Sequence, residues 1–388
     1  MPKKFEYTTL AHRYTARYPA LTYIGTQINF WIIANCLLVT ILNLQARVIG
    51  QAFNLPVSGR FGIILLIAVI LGIVNGTGLG VMGYYFERKF FRKQSLGKVM
   101  VLKTLMSLAI LVFLLALIRY VLFDLFISRS IYMPGIELNA NSWKYSFLLL
   151  MIYYFFMTLV ISFINQVNKK YGPGVLVPLL LGSYRTPKEE ERIFMFMDLK
   201  SSTTTAEKLG HLKYSSFIRD CFFDINEVLY PFQAQVYQYV GDEIVVTWPE
   251  SEGLKQHICI RFYFACKNQF LARAEYYMAN YGILPEFKAG LHAGLVTVVE
   301  IGDLKRDIAY HGDTLNTASR IQSVCSEYGK SFLVSQELID KMGVPANVSS
   351  VLLGAVQLKG KNETVKLASL ELTTDKGLSQ DWATGTIP

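Results

Sequence analysis

Four apolar stretches, roughly 22–45, 61–85, 103–127 and 145–167, dominate the first half of the chain, and each is long enough to cross a bilayer as a helix. After about residue 170 the pattern changes to short apolar runs of strand length, alternating with segments whose apolar residues recur at helical spacing. Arg192 to Asp198 reads as a buried strand that ends in a carboxylate. The hydroxyl run Ser201, Ser202, Thr203, Thr204, Thr205 suits a helix start, and that helix continues through Phe217, Ile218, Phe222, Phe223, Ile225 and Val228. Ala234–Val240 and Glu243–Trp248 are β-rich runs that meet at Gly241-Asp242, a hairpin signal. A long helix is predicted over 252–280, and a strand or hairpin over Phe287–Ile301 with Gly290, Gly294 and Gly302 as breaks. A short strand over Asp307–Tyr310, a helix over Asp313–Tyr328, and strands at Ser331–Val334 and 349–371 complete the pattern. The order β-α-β-β-α-β-β-α-β predicts an α+β domain: a mixed sheet with helices mainly on one face.

Composition agrees with this division. The chain is 52% hydrophobic and 17% charged, too apolar for an average soluble protein, and the excess lies before about residue 170. The net charge of +9 comes from basic residues beside apolar runs, which favours a membrane surface over nucleic acid. Lys3, Lys4, Arg13 and Arg17 precede the first span, and Arg88, Lys89, Arg92, Lys93 and Lys98 follow the second. The other two loops are poorer in Lys and Arg, so both termini are expected in the cytoplasm of a multi-pass inner or plasma membrane protein. The first span lacks a small-residue cleavage site and reads as a retained anchor. The five cysteines form no CxxC pair, which argues against a disulfide framework or a zinc site. Arg119 and Asp124 fall in the outer part of the third span, where they can snorkel or pair. Tyr153, Tyr154, Phe155 and Phe156 crowd the fourth span as packing and interface anchors. The expected divisions are a cytosolic segment 1–20, a four-helix transmembrane domain 21–167, a Gly- and Pro-punctuated linker 168–191, the mixed α+β domain 192–372 and a flexible tail 373–388. Within the linker, Val175–Leu181 is too short to span, and either lies against the membrane or packs on a neighbouring subunit.

Several polar residues of the second half have chemistry in common. A carboxylate at a strand end, Asp198, suits a hard cation. The helix start at Ser201, Ser202 and Thr203 offers free backbone N–H groups to an anion. Asp242 sits at the predicted hairpin tip. Asn316 and Arg320 are four residues apart, which puts an amide and a guanidinium on one helix face. Lys359 and Lys361 flank Gly360 and would suit a polyphosphate. Each residue alone also has a plain reading as a cap, a turn or a solvated pair; their order and combination carry the signal.

That combination resembles the class III nucleotidyl cyclases. The resemblance covers about 190–372 through Phe196-Met-Asp-Leu-Lys-Ser-Ser202, Val240-Gly-Asp-Glu-Ile-Val245, Lys288-Ala-Gly-Leu-His-Ala-Gly294 and His311-Gly-Asp-Thr-Leu-Asn-Thr-Ala-Ser-Arg320. It implies a ferredoxin-like, palm-type fold and two Mg²⁺ or Mn²⁺ ions per site, held by Asp198, Asp242 and the Leu199 backbone. It further implies Asn316 and Arg320 as transition-state groups, Lys359 with Lys361 at the phosphates, and a head-to-tail homodimer with sites at the interface. The purine positions depart from the family. Where adenylyl cyclases carry Lys and Asp or Thr, and guanylyl cyclases Glu and Cys, this chain has Gln238 and Ala309, so Tyr310 or a backbone contact would have to help. Gln238 lacks the carboxylate that suits guanine, which favours ATP over GTP. His292 and His311 are nearby candidates for a base, but structural roles suit them better. Three other readings fit less well: a diguanylate cyclase, since Gly241-Asp242-Glu243 resembles a GGDEF hairpin but only one Gly precedes the Asp and the Asn316/Arg320 helix has no place there; a catalytically degenerate signalling module, against which the complete set of carboxylates, Asn/Arg pair and Lys argues; and a transporter or receptor with a soluble tail, which four spans without an obvious internal repeat do not support.

Overall fold

The computed structural model describes residues 18–54, 61–89, 96–117, 140–171, 182, 184–303, 306–361 and 363–373. They divide into two units, one of four helices and one of sheet and helices.

The helices of the first unit are α1 (Pro19–Ala52), α2 (Phe61–Lys89), α3 (Leu96–Leu117) and α4 (Ala140–Tyr171). Three stretches, Ala20–Ala52, Phe61–Tyr85 and Trp143–Asn168, are long and apolar enough to cross a membrane. A fourth span is not established. Helix α3 covers only the first part of the expected 103–127 stretch, and its remainder, with Arg119 and Asp124, lies outside the described residues. So does the Val175–Leu181 stretch of the linker.

Backbone proximity holds α1 to α2. A Cβ at Gly76 would lie 2.4 Å from Ile28 Cα, and one at Gly72 2.6 Å from Ile32 Cα. Only glycine lets the two helices approach this far, as small residues do between membrane helices generally. Polar pairs tie in α3 and α4. Gln27 and Asn165 exchange amide hydrogen bonds of 3.0 and 3.3 Å. Tyr154 donates to Asn35 Oδ1 and accepts from Asn75, while Ser107 and Thr158 lie 2.7 Å apart. Of the fourth-span aromatics, Tyr154 is buried and stacked on Trp31, and Tyr153 donates to the Ala34 carbonyl. Phe155 and Phe156 face outward.

The second unit is built on strands β1 (Lys188–Leu199), β2 (Gln235–Val240), β3 (Glu243–Pro249), β4 (Phe287–Ile301), β5 (Asp307–His311), β6 (Phe332–Ser335), β7 (Val348–Val356) and β8 (Val365–Leu372). The strand order is β2-β3-β1-β4-β6-β8-β7, with β5 pairing β4. The β4/β6 pair is parallel and the others are antiparallel, so the sheet is mixed as expected. Alternation along β1 sorts its side chains. Ile193, Met195 and Met197 enter the main core with Phe217, Cys221 and Ile225 of α6 (His211–Leu229) and Phe262 and Cys266 of α7 (Ile258–Ala272). Phe194 and Phe196 point to the other face, where Val245, Val296 and Ala318 meet them. Helices α5 (Ser202–Leu209) and α8 (Ala274–Tyr281) flank α6 and α7, and α9 (Asp313–Ser323) lies on β4.

Four predicted elements change. The helix expected from Ser201 through Val228 is two, α5 ending at Leu209 and α6 starting at His211, with Gly210 at φ +72° between them. The helix expected over 252–280 is broken: Gln256 and His257 take positive φ, and Arg273 leaves helical geometry between α7 and α8. There Arg273 pairs with the buried Asp224, which also accepts from Tyr277. The helix expected to reach Tyr328 ends at Ser323 and continues as turns. Gly290 and Gly294 do not break β4, which runs unbroken for 15 residues. They seat α9 instead. A Cβ at Gly290 would fall 2.3 Å from Gln322 N and 2.6 Å from the Ala318 carbonyl oxygen, and one at Gly294 2.6 Å from Thr314 Oγ1.

Gly290→Ala is therefore expected to destabilise the second unit by about 1–3 kcal/mol or more through overpacking against backbone. A lower thermal unfolding midpoint of the detergent-solubilised protein, followed by intrinsic fluorescence, checks this.

Candidate active site

Two carboxylates meet where β1 and β3 pair. Asp198 is opposite Glu243 in the β1/β3 register and opposite Lys288 in the β1/β4 register. Asp242 precedes Glu243 in the turn between β2 and β3, whose Gly241 takes φ +63°. The hairpin expected from Gly241-Asp242 is present, with Val240 paired to Glu243. Asp198 shares the face of Phe194 and Phe196, away from the main core, because the side-chain period of a strand is two.

Electrostatics and polar satisfaction agree on what this corner lacks. Burial first, then the charge of Asp242, raises the pKa of Asp198. Glu243 is pushed up to about 7 by burial and by the charges of Asp198 and Asp242. The Tyr214 hydroxyl is also raised, by burial and then by Asp242. Asp242 Oδ2 is buried and has no hydrogen-bond partner among the described residues. A buried, unpaired carboxylate oxygen is costly, and a cation would satisfy it. Among the described residues no group of three His, Cys, Asp or Glu side chains gathers as a metal site. A hard divalent ion held by two carboxylates, with water and further oxygen ligands completing its shell, fits this donor set. The Leu199 backbone follows directly in β1, paired with Phe287.

Beyond β1, Ser201 adopts the left-handed conformation (φ 55°, ψ 38°), uncommon for a residue other than glycine. It opens α5 without a side-chain cap, so its own hydroxyl does not occupy the first-turn N–H groups of residues such as Ser202 and Thr203.

Helix α9 faces two ways. From its sheet side, Gln322 Nε2 donates to Asp198 Oδ2 at 3.2 Å. Asn316 is exposed, and Arg320 lies against the Lys359-Gly360 turn, with Nη2 3.3 Å from where a Gly360 Cβ would stand. Arg320 and Gln322 are about 160° apart on the helix. Among the described residues no hydrogen bond or ion pair joins Asn316 or Arg320 to Asp198 or Asp242. The structure therefore gathers the carboxylates of one chain but leaves its amide–guanidinium pair turned elsewhere.

The two lysines also separate. Lys361 Nζ pairs with Asp313 Oδ2 at 2.8 Å and donates to Thr317 Oγ1 at 2.7 Å, and Asp313 is lowered chiefly by that lysine. Lys359 is exposed. Gln238 is exposed next to a bulge in β2, and Ala309 is buried in β5. The Tyr310 ring packs against Phe194 and Tyr237 with the Arg192 guanidinium 4.8 Å from its centroid, and burial pushes its hydroxyl up to about 12. His292 is buried, shares a 2.8 Å hydrogen bond with Ser335, and is pushed down to about 4 by burial. This is the structural role expected of it. Sequence reasoning missed Gln322, Lys288 and Glu243. The raised Glu243 was open to detection, because it adjoins Asp242 in sequence; Gln322 and Lys288 meet Asp198 only through sheet and helix packing.

Residues 185–369 match the family model of the adenylate and guanylate cyclase catalytic domain. The chain is 36% identical over 224 residues to adenylate cyclase 2 of Rhizobium meliloti (strain 1021), a match covering 58% of this chain and 61% of that protein. It is 24% identical over 178 residues to an adenylate cyclase of Anabaena cylindrica, covering 45% of this chain and 35% of that one. The matches thus span less than two thirds of either relative's length. Among solved structures, the adenylyl cyclase CyaB from P. aeruginosa overlaps 50% of this chain and 100% of its own, at 18% identity and a TM-score of 0.42.

Glu243 holds its proton more tightly in the folded chain than in the unfolded one, so ionising it costs the folded state. The Glu243 contribution to the stability of the protein freed of divalent ions is therefore expected to fall as pH rises from about 4.5 to about 7, while the buried His292, held near 4, contributes the opposite slope over much of that window. Thermal midpoints measured in chelator check this: the wild-type midpoint minus that of Glu243→Gln is expected to fall as pH rises across that range.

Proposed function

We propose that this chain, whose residues 185–369 match the adenylate and guanylate cyclase catalytic-domain model, is a membrane-bound adenylate cyclase that converts ATP to cyclic AMP and pyrophosphate. The observation that carries the reading is the Asp198/Asp242 corner with its unpartnered buried oxygen, within the residues that the cyclase family model matches. The preference for ATP is supported by the 36% identity to a protein named adenylate cyclase, and by Gln238, which presents no carboxylate to a guanine.

In this reading Asp198, Asp242 and the Leu199 backbone hold two Mg²⁺ or Mn²⁺ ions. When bound, such ions lower the pKa of the ribose 3′-hydroxyl and neutralise charge on the departing pyrophosphate. The 3′-oxygen attacks the α-phosphorus, the bond to the β-phosphate bridging oxygen breaks, and the hydroxyl proton leaves to solvent. Ser201, Ser202 and Thr203 present N–H groups to the phosphates. Lys359 reaches the β/γ-phosphates, and Lys361 anchors the same turn to Asp313. Arg320 meets charge developing on the α-phosphate, and Asn316 orients the ribose. Gln238, Ala309 and Tyr310 border the purine, Ala309 through its backbone.

Because Asn316 and Arg320 face away from Asp198 of their own chain, a working site needs a second copy. The proposal is a head-to-tail homodimer, in which each chain supplies carboxylates to one site and the Asn/Arg pair to the other. The helices of the first unit anchor the enzyme in the bilayer, with both termini on the cytoplasmic side. No nucleic-acid partner enters this reading.

Full-length protein in detergent, given Mn²⁺ with ATP or GTP, is expected to make cyclic AMP as its main product. Absence of any cyclic product overturns the enzyme reading, and cyclic GMP as the main product overturns the choice of base. Arg320→Ala is expected to lower kcat by about 10²–10³-fold with folding retained, as for loss of a transition-state donor. Asp198→Ala and Asn316→Ala are each expected to be inactive alone. Mixed and allowed to exchange, they should recover about one quarter of wild-type activity, because half of random dimers carry one intact site of two. No recovery, with heterodimers demonstrated by tag pull-down, rejects the shared site.

A further inference from the structure

We infer that Gln322 is a positioning residue for Asp198, fixing which carboxylate oxygen is offered to a cation. The inference rests on the reading of Asp198 as a metal ligand. Gln322 is 6% exposed, and its Nε2 donates to Asp198 Oδ2 at 3.2 Å. Lys288, across the β1/β4 pair, brings Nζ to 3.7 Å from the same oxygen and donates to Ser326 Oγ at 3.1 Å. Both donor contacts fall on Oδ2; among the described residues no donor holds the other oxygen, and the carboxylate's remaining side-chain neighbour is Asp242, the second acidic group a cation would bridge. Partners that orient a metal ligand set affinity as the ligands themselves do.

The amide is chemically suited to this place. Asp198, Asp242 and Glu243 already repel one another, as the raised Asp198 and Glu243 record. A neutral donor orients the carboxylate without adding a fourth negative charge or a further positive charge to compete with the cation. Its reach depends on Gly290. The Gln322 backbone stands where a Cβ of residue 290 would be, and Gly290 pairs with Phe196, two residues before Asp198. Any larger residue at 290 would push α9 away and withdraw the amide.

Mn²⁺ titration of the nucleotide-free, full-length protein in detergent, followed by the EPR signal of free Mn²⁺, tests this without turnover. Gln322→Leu is expected to weaken Mn²⁺ binding by about 10-fold or more, with its unfolding midpoint in chelator unchanged. Gln322→His, which keeps an N–H donor, is expected to recover part of the affinity. If Gln322→Leu does not fold, Gln322→Met removes the donor with a closer match in shape. Wild-type affinity in the folded donor-free variant overturns the inference. Failure of the wild-type protein to bind Mn²⁺, or binding indifferent to Asp198→Ala, overturns the metal reading of Asp198 instead.

Discussion

Helix α9 lies so close to β4 that it occupies the space of two missing side chains, with its backbone at Gly290 and with the Thr314 side chain at Gly294. Much of the candidate site follows from that contact. It brings Gln322 within hydrogen-bond reach of Asp198, and it places Ala318 on the second face of the sheet with Phe194, Val245 and Val296. Since a helix turns about 100° per residue, seating Ala318 and Gln322 against the sheet also commits Asn316 and Arg320 to the outside. One packing contact thus holds a carboxylate in its own chain and presents an amide and a guanidinium away from it.

The same solution appears in the first unit with a different purpose. Gly72 and Gly76 let α1 and α2 meet backbone to backbone. In a lipid environment there is little hydrophobic drive to hold helices together, so close van der Waals contact and buried hydrogen bonds carry the packing. The reciprocal Gln27–Asn165 pair and the Asn35–Tyr154–Asn75 chain supply those bonds across three helices. Each polar group finds its partner inside the unit, which removes the cost of leaving it bare in hydrocarbon.

At the carboxylate corner the packing works against local stability. Asp198, Asp242 and Glu243 share a half-buried site, and burial with mutual repulsion raises Asp198 and Glu243. Natural sequences break local rules of this kind at functional sites. Elsewhere in the same unit Asp224 is met by Arg273 and Tyr277, and Asp220 by Tyr276 and Tyr281, while Glu250 has one unpaired buried oxygen but keeps Lys341 on the other. Asp242 combines an unpaired buried oxygen with two neighbouring carboxylates.

The sequence by itself determined the division into an apolar and a mixed half, the strand ending at Asp198, the Gly241-Asp242 turn and the spacing of Asn316 and Arg320. These are local properties, set by periodicity, turn chemistry and helix pitch. The tertiary structure decided what depends on distant segments meeting. It joined Gly290 to α9, although a glycine in a strand looks locally like a break. It bent the 252–280 helix at Arg273, where the guanidinium turns to a buried Asp224. It tied Lys361 to Asp313 while leaving Lys359 exposed, two lysines that look alike along the chain. It also brought Gln322, 124 residues away in sequence, to Asp198. Sequence patterning could place the two carboxylates, but only the fold could say which side chains meet them.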